Sequence, residues 1–330
     1  MDGELIAYLR TLSRLSETIV VDGSAPEIFA ANDAAFGETA AAGVRHVLPA
    51  PDLATEMGKV GGVLTGLRLA SHETIVIADD DVRYDEPTLS SVAAALDEAD
   101  VVRPQNYFDP VPWHAAWDTG RALLNRMTGG DWPGTLGVRR SALVATGGYD
   151  GRAMFENLEL VRTIVAAGGR EMTLLEVFVL RRPSTARHFW SQRVRQAYDE
   201  FARPRRLAIQ LTVLPIVLSL AVVGRWTVIA AGAVVVVAIA EAGRRRGGGR
   251  RYFRAWTPLF APLWLAERAV ASWLAVGARL VLGGIPYRGR ILRHSATSMR
   301  VLRARHAAIR ESGVLSTPHR DPRRPARRSV

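Results

Sequence analysis

The chain has 330 residues, no cysteine and a formal net charge of +11. That length exceeds one ordinary domain, and the lack of cysteine excludes disulfides, thiolate metal sites and a cysteine nucleophile. Of the 43 basic residues only Lys59 is a lysine; the others are arginine. A chain that uses Arg almost everywhere for positive charge thus singles out Glu56-Met57-Gly58-Lys59.

Residues 4–15 place Leu5, Ile6, Leu9 and Leu12 at helical spacing, which predicts a helix. Thr18-Ile19-Val20-Val21 reads as a buried strand that ends in an acid and a turn, Asp22-Gly23-Ser24. A short helix is expected over 33–42 and an edge strand over 44–48. Residues 59–70, rich in Gly and Leu, read as a helix lying close on a sheet. Thr74-Ile75-Val76-Ile77-Ala78 is short, β-branched and bounded by charge, the pattern of a buried strand. It stops at Asp79-Asp80-Asp81. Ligands of open α/β sheets bind beyond the carboxyl ends of the strands. Residues i and i+2 of an extended segment point to one side, so Asp79 and Asp81 face together. Two such carboxylates repel, and a divalent cation carrying a polyphosphate relieves the repulsion. Three solvated acids capping the next helix is the plainer alternative.

Asp85-Glu86-Pro87 has the proline and acids of a first helical turn. Residues 100–104 read as another strand. The alternation of strand and helix predicts an α/β fold with a mostly parallel sheet flanked by helices. Past Asp109 the pattern loosens, with Trp113, Trp117 and Trp132 among several Gly and Pro. A strand is expected over 134–138 and a turn at Gly147-Gly148-Tyr149-Asp150. Glu156-Asn157-Leu158-Glu159-Leu160 opens a helix whose apolar face is Leu158, Val161, Ile164 and Val165, stopped by Gly168-Gly169. Residues 172–180 close the sheet.

From Leu207 to Ala240 the only charge is Arg225. Gly224-Arg225 divides the run into halves of roughly 17 and 15 residues, about 23–26 Å each as helix, slightly short of a bilayer core of about 30 Å. Arg203, Arg205 and Arg206 precede it; Arg244-Arg245-Arg246 and Arg250-Arg251 come after. If the hairpin spans twice, both clusters fall on one side, which the positive-inside rule makes cytoplasmic. A buried soluble hairpin is the alternative. A third apolar segment, 255–282, contains Glu267-Arg268 and starts with Pro258 and Pro262; an interfacial or re-entrant placement is expected. From Tyr287 on, only Glu311 and Asp321 oppose the arginines. Next to apolar segments, such a tail fits anionic lipid rather than nucleic acid. The N-terminus, Met1-Asp2-Gly3-Glu4, carries no apolar core of signal type.

The order of these pieces resembles the family 2 glycosyltransferases of GT-A fold, especially membrane-attached, ceramide-glucosyltransferase-like and lipid-modifying members. The resemblance covers roughly residues 4–206 and echoes weakly to 290. Val20-Val21-Asp22-Gly23-Ser24 looks like the strand motif whose Asp contacts the nucleotide base. Gly58-Lys59 with Gly61-Gly62-Val63-Leu64-Thr65-Gly66-Leu67 is similar to the family's Gly-Lys helix. Asp79-Asp80-Asp81 looks like the DxD motif, which implies Asp79 and Asp81 as metal ligands, Asp81 the more direct, with Asp79 and Asp80 beside the nucleotide. Glu156-Asn157-Leu158-Glu159-Leu160 resembles the helix carrying the catalytic base. Gln192-Arg193-Val194-Arg195-Gln196 resembles the Q-x-x-R-W motif, and Tyr287-Arg288-Gly289-Arg290 a Trp-Arg-Gly-Arg element.

The resemblance implies inverting transfer from a UDP- or GDP-sugar to a lipid or lipid-linked hydroxyl at a cytoplasmic membrane face, with Mg²⁺ or Mn²⁺. It implies Asp22, Gly23, Ser24, Lys59, Asp79 and Asp80 at the nucleotide sugar, and Glu156, Asn157, Gln192 and Arg195 in catalysis, Arg195 with Arg193 on the phosphates. It divides the chain into a catalytic domain, 1–204, a membrane region, 205–286, and a basic disordered tail, 287–330. Three departures stand out. The family's opening strand has no counterpart. Asn157 stands where the family has its basic Asp, so proton acceptance moves to Glu156. Gln196 replaces the Trp. A non-catalytic nucleotide-sugar-binding scaffold remains the competing expectation. A nucleotidyltransferase would need a Gly-rich basic loop after its first strand, and none is visible.

Overall fold

The computed structural model describes residue 1 and residues 3–37, 43–287 and 289–311. Helix α1 (Gly3–Leu12) buries Ile6 and Leu9. Strand β1 (Thr18–Val21) pairs in parallel with β2 (Val44–Val47). Helix α2 (Pro26–Gly37) connects them. It starts at Pro26 rather than at residue 33, because proline is pre-set for a first helical turn; residues 38–42 of the expected helix lie outside the described residues.

Helix α3 (Gly58–Leu69), β3 (Thr74–Ala78), β4 (Val82–Arg83) and α4 (Glu86–Ala95) come next. The start of α4 is a full capping box: Asp85 accepts from the Thr88 amide while the Thr88 hydroxyl lies on the Asp85 amide. After it come β5 (Val101–Phe108), α5 (Trp113–Met127), β6 (Thr135–Arg139), α6 (Arg140–Ala145), α7 (Glu156–Ala166), β7 (Glu171–Arg181), α8 (Ala186–Ser191) and α9 (Arg193–Tyr198).

The main sheet has the order β3-β6-β5-β7-β4. β5 and β7 are parallel, and the β3–β6, β5–β6 and β4–β7 pairs are antiparallel. By direction, β3, β5 and β7 form a parallel majority, with β6 and β4 reversed, so the sheet is mixed. β1 and β2 form a separate sheet. Among the described residues no strand pairs with the outer edge of β3. That corrects the expectation of a buried strand: Thr74 and Ala78 are exposed and the residues between them are only half-buried. Helix α3 packs beneath both sheets, Val60 and Leu67 in the main core with Ile75 and Ile77, and Gly62 and Gly66 close to Val21.

Helix α5 falls where the sequence pattern loosens. Its inward side carries charge, which hides it from an apolar periodicity. Those charges are paired: Arg121 Nη1 lies 2.8 Å from Asp131 Oδ1, Asn125 Nδ2 donates to the same oxygen at 2.7 Å, and Arg193 Nη1 reaches Asp118 Oδ1 at 2.8 Å. Buried charge is tolerated only with such partners.

The C-terminal part holds α10 (Pro204–Val222), α11 (Trp226–Arg245) and α12 (Ala261–Leu282). All three lie in helical segments long and apolar enough to cross a membrane by length and composition. The last elements are β8 (Ile285–Tyr287), β9 (Arg290–Leu292) and α13 (Met299–Glu311). The expectation of a disordered tail from 287 is therefore corrected over 289–311. The Met154 and Phe155 amides donate to His294 and Ser295 carbonyls, and Glu159 accepts from the Thr297 amide. Those bonds and the buried Leu302 order the segment. Residues 312–330 lie outside the described residues.

Candidate active site

The acids that end β3 come to lie beside the first turn of α7. Lys59, in the first turn of α3, bridges them: its Nζ is 2.5 Å from Asp79 Oδ1 and 2.6 Å from Glu156 Oε1. Arg181, the last residue of β7, does the same on the other side. Its Nε is 2.9 Å from Asp81 Oδ2 and its Nη2 is 3.3 Å from Asp79 Oδ2. Asp79 thus sits between two cations, flanked by Asp81 and Glu156. Asp80 is exposed and forms no ion pair with this cluster of five among the described residues.

The strand ends are tied so that the cluster holds its shape. The Asp79 amide donates to the Gly134 carbonyl, and the Gly134 amide donates to Asn106 Oδ1. Gly134 has no room for a side chain, since a Cβ there would sit 2.6 Å from Asp79 Oδ2 and 3.0 Å from Arg181 Nη1. Asn157 Nδ2 donates to the Pro133 carbonyl at 3.0 Å. Asn157 is therefore a tie for the loop before β6, and its amide suits that place better than a carboxylate would.

Electrostatics separates the three carboxylates. For Asp79 burial pushes toward the neutral acid, but Lys59 and Arg181 outweigh it and the carboxyl is held below its ordinary range. Burial wins at Asp81 and at Glu156, raising both despite Arg181 and Lys59 respectively. Lys59 is raised: its burial opposes the charge, but Glu156 and Asp79 overcome that. Two buried oxygens, Asp81 Oδ1 and Glu156 Oε2, have no hydrogen-bond partner. Buried acceptors are as a rule satisfied, so each has the capacity to take a donor or a cation.

A hard cation fits Asp81 Oδ1, because Mg²⁺ and Mn²⁺ take carboxylate oxygens and complete their shell with substrate phosphate and water. Among the described residues no group of three or more His, Asp and Glu could hold an ion unaided. The donor set here is thus one or two carboxylates, Asp81 and Asp79, and requires a phosphate to complete it.

Asp22 follows β1 and lies apart from this cluster. Its Oδ1 accepts from the Ser24 amide at 2.9 Å; its Oδ2 accepts from Asn32 Nδ2 at 2.7 Å and lies 3.3 Å from His46 Nε2. Burial works against its charge, but the bonds from Ser24, Asn32 and His46 hold it down at about 2. A carboxylate has about four acceptor positions, so Oδ1 keeps capacity for one more N–H. Gly23 and Ser24 are exposed beside it.

Gln192 caps α8 and donates to Ser191 Oγ. Arg195 lies over the Tyr287 ring at 5.2 Å and is near enough to favour the charged forms of Asp79 and Glu156, although burial still raises Glu156. Its buried Nε has no partner. Arg193 is different: it is buried between Asp118, at 2.8 Å, and Glu267, at 3.2 Å, so its charge is already neutralised. The phosphate role expected for it is corrected on that ground. Sequence reasoning missed Arg181, Asn106 and Gly134. The available signal for Arg181 was the Arg181-Arg182 pair closing the last apolar strand.

No protein-family model matches the chain, and no curated protein matches it. Among solved structures the chain is similar to the mannosyltransferase PcManGT from Pyrobaculum calidifontis in complex with GDP-Man and Mn²⁺. Identity is 16%, coverage is 95% of this chain and 83% of that chain, and the TM-score is 0.44. At that level of likeness the role of each residue here rests on its own geometry.

Proposed function

We propose that the protein is an inverting glycosyltransferase of GT-A type that moves a sugar from a nucleotide-diphospho-sugar to a lipid or lipid-linked hydroxyl at the cytoplasmic face of a membrane. The observation that carries the reading is the Lys59 bridge between Asp79 and Glu156, with Arg181 closing on Asp79 and Asp81. One site so combines a base, an acidic pair and fixed cations.

In this reading the acceptor oxygen bonds to the anomeric carbon as the bond from that carbon to the diphosphate oxygen breaks, and the bonding pair leaves with the diphosphate. Glu156 Oε2, buried and unpartnered, takes the acceptor proton. Negative charge grows on the diphosphate, and Lys59, Arg181 and Arg195 stand beside the place where it grows. Asp81 and Asp79 would hold Mg²⁺ or Mn²⁺, which supplies Lewis-acid stabilisation of the leaving group. Asp22 accepts an N–H of the base. The stretch 207–240 of α10 and α11, charged only at Arg225, supports a membrane site and hence a lipid acceptor. The arginines at both ends of that hairpin support a cytoplasmic face.

The test is hydrolysis and transfer with UDP-, GDP- and dTDP-sugars by detergent-purified protein, with and without Mn²⁺, using membrane extract as acceptor. Metal-dependent turnover lost in Asp81→Ala and in Glu156→Gln is expected, with the anomeric configuration inverted in the product. Donor binding that needs Asp81 without turnover on any acceptor would instead favour a non-catalytic binder, a role in which Lys59 permanently neutralises Glu156.

A further inference from the structure

We propose that, of the three apolar helices among the described residues, α10 and α11 enter the bilayer as a two-helix hairpin and α12 lies in the membrane surface against the catalytic body. This rests on the membrane reading above and decides which of the three apolar helices cross.

The hairpin is almost bare. Ile209, Ile216, Leu218 and Val222 on α10, and Val228, Val234 and Val235 on α11, are exposed. With 19 and 20 residues the helices are about 28 and 30 Å long, and their charge-free parts, 207–222 and 226–240, cover roughly 22–24 Å, slightly under a bilayer core of about 30 Å. Their two base ends are fastened to neighbouring residues of α5. Arg206 Nη2 donates to Asn125 Oδ1 at 2.7 Å, and Arg126 Nε donates to the Gly243 carbonyl at 3.0 Å. The chain therefore leaves and returns at one level.

Helix α12 is as long, but two-faced. Ala261, Trp264, Arg268, Ala271, Ser272 and Ala275 are buried, while Leu263, Val270, Trp273, Leu274 and Val281 are exposed. Its buried face is held from first turn to last. At its start Gly120 of α5 comes so near that a Cβ there would lie 2.9 Å from Ala261 Cα. In its middle Glu267 pairs with Arg193 of α9, and Ser272 donates to Gln210 of α10. Near its end the Arg279 guanidinium lies 4.6 Å from the Phe201 ring centre. A helix with charge turned to protein and an apolar outer face suits the interface, whereas a Glu–Arg pair at a bilayer centre is costly.

The segment after α12 decides the parity. Tyr198 Oη donates to the Arg293 carbonyl at 2.9 Å, and the Met154 and Phe155 amides donate to His294 and Ser295 at 3.0 and 2.8 Å. A third crossing would place residues 293–295 across the bilayer from 154, 155 and 198, and these bonds could not form.

The natural chain has no cysteine, so single-cysteine variants need no background removal. Ser90→Cys on α4, Val223→Cys at the hairpin turn and Ala304→Cys on α13 are all at exposed positions. They would be labelled with a membrane-impermeant maleimide in sealed, oriented vesicles. Nitroxides on cysteines at 263, 270, 274 and 281 would report depth. The expected result is that 90 and 304 label from one face and 223 only from the other, with the four α12 sites at one depth. Labelling of 304 from the face opposite 90, with α12 depths running through the bilayer, overturns the proposal and leaves the membrane reading standing. Labelling of 223 from the same face as 90 also overturns it. If carbonate then strips the protein from the vesicles, the membrane reading has failed too.

Discussion

Asp22 and Asp79 each come directly after the last residue of a strand, yet they are held in opposite ways. Asp22 accepts from Ser24 and Asn32 and meets His46, and is pinned as a carboxylate at about 2. Asp79 shares Lys59 and Arg181 with Asp81 and Glu156, three carboxylates to two cations, with two buried oxygens unpartnered. The first is a nearly finished hydrogen-bond network with room for one more donor, and suits reading a ligand that does not change. The second is unbalanced by one charge in its direct ion pairs, with Arg195 close by as a third cation, and suits a ligand whose charge shifts during reaction. A strand end that stops in an acid is thus a place, and the partners of the acid decide its work.

The largest effect should come from the unbalanced side. Glu156→Gln keeps the shape and removes the proton acceptor, so turnover should fall roughly 10²–10⁴-fold. Donor binding, measured by calorimetry, should persist; turnover within tenfold of the parent would place the base elsewhere. Asp81→Asn should next remove the response of donor affinity to Mn²⁺, read as titrations with and without the ion that superimpose. Asn157→Asp sets a carboxylate against the Pro133 carbonyl and loses a hydrogen bond. An unsatisfied buried group costs about 1–3 kcal/mol, so thermal stability and activity should both drop; a gain in rate would mean that position 157 can serve as the base. On the finished side, Asp22→Asn should raise the donor KM by about tenfold or less and leave kcat alone, since a neutral amide still offers an acceptor oxygen.

The acidic places were legible because apolar runs such as Thr74-Ile75-Val76-Ile77-Ala78 end abruptly in charge, and hydropathy records that edge. Their partners were not. Arg181 reaches Asp81 across 100 residues of sequence, because β7 pairs with β4 and sets Arg181 opposite Val82, the residue after Asp81. Helix α5 was illegible for a related reason: its buried side is kept by Asp118, Arg121, Asn125 and Arg126, whose pairing with distant groups satisfies burial without an apolar stripe. The exposed edge of β3 was equally hidden, because a β-branched run looks the same whether its neighbours are strands or solvent. Glu267-Arg268 and the prolines already set α12 apart from α10 and α11 in the sequence, but the face it turns to α5, α9 and α10 was not legible there.

The two sides should finally differ in sign with pH, although the effect is small. Asp22 is depressed from 3.8 to about 2, so the unfolded chain binds its proton more readily, and stability rises with pH between those values and stays flat above. Glu156 is raised above 4.5 by burial, so the folded state holds its proton longer, and stability falls as pH climbs from that value toward the folded pKa. The deprotonation that costs stability is the one that arms the base, so kcat should rise with pH over the same window. Unfolding midpoints in detergent against pH should therefore show a shallower acid limb in Asp22→Asn, where depressed Glu4 remains, and a shallower fall above pH 4.5 in Glu156→Gln, where raised Asp199 and Asp81 remain. If Glu156→Gln keeps the parent slope, the fall belongs to the other raised carboxyls, Asp199 or Asp81, and Glu156 is not the group that titrates in that window.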